Sequence, residues 1–328
     1  MTTSDSPEVF GMHSNANVTF NTNESLGLMS ALLSLQPKSS GGGSDGKSSD
    51  DIVTELAEAI QLTCPTMLSE DEQGETTFAL QPNGLRSSLA ICLSQEMVKF
   101  NRLLQVMRQS LGDIKKAING SLEMSADLDA MYTALVNNRL PAIWERVSFA
   151  SLKTLSSWVQ DLVARVAFMR MWLVNGQPAA FPLPAFFFPQ GFMTASLQTF
   201  ARKHKEAIDG LSFTYTLLKQ PGDEIQQGPE DGVIVYGLYL EGARLDTESL
   251  LLQDSRPGQM YDPLPAIHFQ PVVSYKQIES TYVCPVYKTA VRKGVLSTTG
   301  TSIRSYIHAY ISLIIVFTSY IIIHRYEH

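Results

Sequence analysis

The chain has 328 residues, 44% hydrophobic and 17% charged, which suits one to three domains with a buried core. A formal net charge of −7, with no Lys/Arg-rich run to offset it, argues against a general nucleic-acid binder. Cys64, Cys92 and Cys284 are scattered without a CxxC pair, so they read as buried thiols of a reducing compartment, not a disulfide or zinc framework.

The polar, acidic start MTTSDSPEVF has no apolar core of a secretory signal. Residues 1–37 begin irregular and turn apolar from Leu26 to Leu35, which suits a short helix ended by Pro37. In the following KSSGGGSDGKSSD, Gly41, Gly46, Lys47 and Ser48 satisfy the phosphate-loop pattern G-x-x-x-x-G-K-[ST]. A working phosphate loop is fed by a buried strand, and here Pro37 and Lys38-Ser39-Ser40 stand in its place. Residues 38–50 therefore read as a flexible Gly/Ser-rich linker, not as a nucleotide site.

Asp50 or Asp51 suits the cap of a helix over Ile52–Leu62, with Val53, Leu56 and Ile60 on one face and Cys64-Pro65 as its stop. The longest periodic element follows. Ala90, Leu93, Met97, Phe100, Leu104, Met107, Leu111, Ile114 and Ile118 recur at alternating three- and four-residue steps. Ser87 or Ser88 suits its start and Asn119-Gly120 its end, giving a helix about 45 Å long. A shorter helix is expected over Leu122–Val136. A second stripe runs through Leu152, Leu155, Val159, Leu162, Val166, Met169 and Leu173 and stops at Asn175-Gly176. Two such stripes imply packed antiparallel helices, with Trp144, Trp158 and Trp172 in or beside the seam.

Prolines 178, 182, 184 and 189 then rule out a long helix. Phe186-Phe187-Phe188-Pro189-Gln190-Gly191-Phe192 is too apolar for water and reads as a buried turn. It feeds a helix over Met193–Lys205, with Met193, Leu197 and Phe200 on one face. From Leu211 the period drops toward two. Strands are expected over 212–217, 233–240, 267–269 and 272–275, the last two broken by Pro271, and a hairpin over 282–298 turning at Arg292-Lys293-Gly294.

No catalytic set emerges. The six histidines lack metal-ligand spacing, and His204, between Lys203 and Lys205, reads as part of a solvated face. Glu241 and Arg244 are either an ion pair or two solvated side chains. Catalytic, cofactor and metal residues are accordingly none.

Several long motifs occur in the order found in dynein heavy chains. FFFPQGF at 186–192, Val235–Arg244 (VYGLYLEGAR), Cys284–Thr289 (CPVYKT), Ser297-Thr298-Thr299-Gly300, Phe10–Ala16 and Leu35-Gln36-Pro37 resemble that family, best its axonemal branch, over roughly residues 7 to 302. The resemblance implies an α+β chain: an N-terminal helical lid or bundle followed by a C-terminal domain of helices and a small antiparallel β-barrel. It implies the end of a sixth AAA+ module over 1–37, a Gly/Ser-rich loop over 38–50, a helical region over 51–176 and the C-terminal domain over 177–302.

The intact family member is an ATP-driven microtubule motor of cilia and flagella. The resemblance implies that this piece braces the ring of AAA+ modules without an ATP site or stalk of its own. ATP and Mg would belong to the rest of the ring. The implied partners are the remainder of the motor ring and, through the intact heavy chain, intermediate chains, light chains and microtubules. The implied location is the cytoplasmic cytoskeleton and the axoneme.

After Gly300 the family pattern stops, and residues 303–328 form a divergent tail. Tyr306 to Ile323 are 18 residues without Asp, Glu, Lys or Arg, spanning about 27 Å as a helix against a hydrocarbon core of about 30 Å. Three readings stand side by side: a transmembrane tail anchor on a membrane adaptor, a replaced terminal strand, and non-family sequence from an alternative or erroneous 3′ end.

Overall fold

The computed structural model describes residues 14–35, 48–81, 84–151, 153–241, 243–248, 252–254, 256–259, 261–273, 286–288 and 295–297. These fall into two compact units. The larger lies within Gly41–Tyr236 and Ala266–Ile278, the smaller within Met1–Ser40, Gly237–Pro265 and Glu279–His324.

In the smaller unit, α1 spans Ser14–Leu35, longer than the short helix the apolar run suggests. The larger unit opens with α2 (Ser49–Thr63), capped by Ser48 and not by Asp50 or Asp51. The Ser48 hydroxyl accepts the Asp51 N–H at 3.1 Å, and the Asp51 carboxylate accepts the Ser48 N–H at 3.2 Å, a reciprocal capping box. The stretch after α2 is tied down by side chains. Asn101 accepts the Leu68 N–H at 2.8 Å and donates to the Leu68 carbonyl at 2.7 Å.

The long stripe forms α3 (Ser88–Ile118), started by Ser87, whose hydroxyl accepts the Ala90 N–H at 3.1 Å. α4 (Ala126–Val136) begins at the Ser125 cap, later than expected, and α5 is one turn over Ala142–Glu145. The second stripe forms α6 (Leu155–Asn175), ended by Gly176 at φ 86°, which only glycine adopts without strain. Leu152 lies outside the described residues.

Trp144, Trp158 and Trp172 are all buried. Trp144 and Trp158 stack with centroids 6.0 Å apart, and Phe149 stacks on Trp158 at 5.6 Å. The Trp144 indole N–H donates to the Ser110 hydroxyl at 2.8 Å, which in turn donates to the Met107 carbonyl at 3.1 Å. That relay lets a large ring sit in the core with its one polar atom satisfied.

Four strands complete the larger unit: β1 (Ala180–Pro182), β2 (Leu211–Leu217), β3 (Val233–Tyr236) and β8 (Ile267–Val273). Their order is β1-β3-β8-β2. β1 runs parallel to β3, with Ala180 opposite Ile234, and the other pairs are antiparallel. The prolines between α6 and β2 leave room only for β1, a 3-10 turn over Leu183–Ala185, and α7 (Pro189–His204).

Two expectations are corrected here. Pro271 does not break its strand. Pairing of β8 with β3 ends at Val233 opposite Phe269, so beyond that point β8 is an edge on one side, where a missing N–H is tolerated. The β-barrel is also overturned. Among the described residues the strands form an open, mixed four-stranded sheet and three two-stranded ribbons, and no sheet closes on itself.

The ribbons belong to the smaller unit. β4 (Tyr239–Glu241) pairs with β7 (Tyr261–Pro263), and β5 (Ala243–Leu245) with β6 (Leu252–Asp254). β9 (Val286–Lys288) pairs antiparallel with β10 (Val295–Ser297), within the expected hairpin. The 233–240 run is not one strand, because Gly237 at φ 82° interrupts it between β3 and β4. The side chain of Glu241 is outside what the structure describes, so its pairing with Arg244 is too.

The transmembrane expectation is corrected as well. No helix among the described residues is long and apolar enough to cross a membrane. The 306–323 run lies outside the described residues.

Candidate functional site

The aromatic turn is built around a buried carboxylate. Glu96 sits on a second row of α3, with Leu89, Cys92 and Leu103, and is 2% exposed. Its Oε2 accepts the Phe187 N–H at 2.6 Å and its Oε1 the Phe188 N–H at 3.1 Å. The two N–H groups that the turn directs inward, ahead of the helix, are thereby satisfied by one side chain. Lys99, one turn along α3, lies 3.8 Å from Oε1 and also stands over the Phe188 ring, 5.0 Å from its centroid.

Burial pushes the Glu96 carboxyl above its ordinary value. The Phe187 bond, Lys99, the Phe188 bond and Arg165 pull the other way without cancelling that push. Cys92, one turn before Glu96, is a free thiol pushed up to about 12 by burial and by the Glu96 charge, so it is inert at neutral pH.

The three phenylalanines divide their work. Phe186 stacks on Phe192 at 4.4 Å, and Phe181 meets Phe192 at 4.8 Å and Trp172 at 5.1 Å. Phe187 points its edge at Phe100, 4.6 Å away, and at Phe149, 5.7 Å away. Arg165 covers Phe149 at 3.9 Å from the ring centroid. Phe188, by contrast, is 46% exposed. α7 starts at Pro189, where a missing N–H costs nothing, earlier than the expected Met193. At Gly191 an added Cβ would lie 2.6 Å from Phe188 Cδ1, so the half-exposed Phe188 ring would have to move. The buried residues of α7 are Pro189, Phe192, Ala195 and Ser196, whereas Met193, Leu197 and Phe200 are half-buried.

The far end of α7 is held too. Asp231, in the turn before β3, accepts Lys203 Nζ at 2.7 Å and faces His204 Nε2 at 3.0 Å. His204 is exposed, as the solvated-face reading expects, and its ring nitrogen also hydrogen-bonds the Asp231 carboxylate. Burial pushes the Asp231 carboxyl up, and its bonds to Lys203 and His204 outweigh that and hold it below its ordinary value. His268 on β8 reaches the Asp231 carbonyl at 2.8 Å. Gly232, at φ 84°, packs so closely on the Phe269 carbonyl that no side chain fits there.

Of the phosphate-loop residues, Ser48 is the α2 cap, and Gly41, Gly46 and Lys47 lie outside the described residues. Among the described residues no group of three or more His, Cys, Asp or Glu is arranged to hold a metal. Both Glu96 oxygens face backbone donors, so this carboxylate positions a backbone segment and offers no ready general base. Glu96 and Asp231 were missed in the sequence, although a lone acid on the apolar Leu89–Leu103 row was a usable signal for the first.

The family profile for the C-terminal domain of dynein heavy chains matches residues 22–313. That match continues past Gly300 and takes in the first part of the apolar run, where the family pattern was expected to have stopped. Dynein axonemal heavy chain 6 of Homo sapiens is 41% identical over 91% of this chain and 8% of its own length. Dynein axonemal heavy chain 1 of Rattus norvegicus is 42% identical over 91% of this chain and 6% of its own. Dynein axonemal heavy chain 3 of Mus musculus is 39% identical over 90% of this chain and 7% of its own. The chain therefore spans less than a tenth of the length of these relatives. With its aromatic turn, α2 to α7 and its ribbons inside the matched region, the chain belongs to the dynein heavy chain family, and residues 22–313 match the profile of that family's C-terminal domain.

Proposed function

We propose that the chain serves as the structural and regulatory C-terminal part of an axonemal dynein heavy chain, an ATP-driven microtubule motor of cilia and flagella. The observation that carries this reading is the family match across residues 22–313, with axonemal heavy chains as the relatives named above. The packing supports a bracing role. Glu96 and the aromatic cluster fix the turn rigidly and leave it no free reactive group. In this proposal residues 1–37 end a sixth AAA+ module, 38–50 are a linker that binds no nucleotide, 51–176 are helical, and 177–302 form the C-terminal domain. The partners are the rest of the motor ring directly. Intermediate chains, light chains and microtubules are reached only through the whole heavy chain, in the axoneme.

The test pairs two assays. The purified chain is incubated with an axonemal heavy chain that ends before this region, and co-sedimentation and microtubule gliding are measured. Association with recovery of gliding is expected, with no ATP hydrolysis by the chain alone. Failure to associate, or Lys47-dependent ATP hydrolysis by the isolated chain, overturns the proposal.

A further inference from the structure

Asn15 joins two parts of the smaller unit that are far apart in sequence. Its side chain is buried, which is unusual for an asparagine and demands partners. Nδ2 donates to the Arg256 carbonyl at 3.1 Å and to the Gln259 carbonyl at 3.0 Å. Oδ1 accepts the Gly258 N–H at 2.9 Å. One primary amide thus uses both donors and an acceptor on a single turn between β6 and β7. The turn is itself tight: Gly258 sits at φ 79°, and the Gln259 N–H returns to the Arg256 carbonyl at 3.0 Å. An aspartate in place of Asn15 would lack the two donors, and a leucine would lack all three bonds.

Several described side chains further along α1 face solvent. Val18, Leu26, Leu28 and Met29 are exposed, and a methyl group added at Gly27 would meet nothing within 4 Å. From this geometry we infer that Asn15 is a positioning residue coupling α1 to the Arg256–Gln259 turn, so that fraying or displacement of α1 releases the β6–β7 connection. The coupling deepens the bracing role proposed above. It provides a route by which a change at the N-terminal helix reaches the ribbons.

Amide hydrogen exchange on the full 328-residue chain tests it, because the Gly258 amide donates to Asn15 Oδ1 while the pin is closed. Asn15→Ala is expected to speed Gly258 exchange at least about tenfold, as loss of a buried hydrogen bond does, and to leave the Phe187 amide unchanged. Two substitutions at Gly27, about three turns away, probe the coupling itself. Gly27→Ala strengthens the helix and is expected to slow Gly258 exchange by up to about fivefold. Gly27→Pro breaks α1 and is expected to speed it.

If α1 amides respond to the Gly27 changes while Gly258 does not, the inference is wrong. Unchanged Gly258 exchange in Asn15→Ala is equally fatal. If Asn15→Ala fails to fold, Gly27→Ala still decides, because its methyl group enters open space. These outcomes are independent of whether the chain docks on a motor ring, so failure here and failure of the bracing proposal are distinguishable.

Discussion

Replacing Glu96 by alanine removes the acceptor of two backbone N–H groups at once. Phe187 is buried and its bond is short, at 2.6 Å; the Phe188 bond is longer, at 3.1 Å, and part-buried. A buried donor left unpaired costs about 1–3 kcal/mol. The carboxylate's own burial is unfavourable, which is why its pKa is raised, and removing it returns part of that cost. Lys99 is 44% exposed and stays solvated after losing its partner, so it contributes little. The sum is a destabilisation of about 2–4 kcal/mol for Glu96→Ala. Glu96→Gln keeps one acceptor oxygen but turns an NH2 toward the other donor, and about 1–2 kcal/mol is expected. Urea denaturation of the three proteins, with slopes compared before midpoints, measures both values. Native-state exchange at the Phe187 and Phe188 amides shows whether the loss is local. A Glu96→Ala midpoint within about 0.5 kcal/mol of the parent, with those amides still protected, would refute the reasoning, because the donors would then have other partners.

Other consequences follow from the same geometry. The folded Glu96 pKa is raised, so its titration contributes stability that is fully present below the unfolded carboxyl value and is lost as pH rises through the folded one. Glu96→Gln lacks that component, and denaturation midpoints across pH 4–8, an interval of about four units above the ordinary carboxyl value, display the difference. Asp231 has the opposite sign: its depressed pKa gives stability present above the unfolded value and lost as pH falls through the folded one. Because Lys203 and His204 are 43% and 38% exposed, Asp231→Ala is expected to cost less than about 1 kcal/mol at neutral pH, read by thermal melting. Phe192→Ala empties a fully buried site between Phe186 and Phe181 and is expected to cost about 3–5 kcal/mol in the same denaturation assay. Gly232→Ala combines a φ of 84° with a collision against the Phe269 carbonyl, and a loss of at least about 2 kcal/mol is expected.

Helices were the most legible elements because their signals are local. Ser87, a nine-residue apolar stripe and Asn119 delimit α3 within the sequence itself, and Gly176 marks the end of α6. The β9–β10 hairpin was legible for the same reason, since its strands are close in sequence. The sheet was not. β1 pairs in parallel with β3 across 54 residues, and nothing in AFP or VIVY encodes that pairing. Pro271 misled because its effect depends on whether the neighbouring strand reaches it, and the pairing with β3 ends at Val233 opposite Phe269. The barrel was what the resemblance implied, and strand content by itself cannot distinguish a closed sheet from an open one. The site residues lay between these extremes. The aromatic turn announced its own burial, but Glu96 lies 91 residues away from Phe187 and looks in isolation like any helical acid.

Asn15 and the Gly258 turn also set a timetable for synthesis. They are 243 residues apart, so at about 5–20 residues per second the turn leaves the ribosome about 12–50 s after the helix that must hold it. Within that interval α2 to α7 and β1 to β3 emerge, while β8, which the sheet of the larger unit also needs, follows the turn, and the Asn15 amide waits for its bonds to Arg256, Gly258 and Gln259. The helix must stay unaggregated while Leu26, Leu28 and Met29 face solvent or whatever holds the growing polypeptide. The pace of translation, and not helix formation, thus limits when the smaller unit can close.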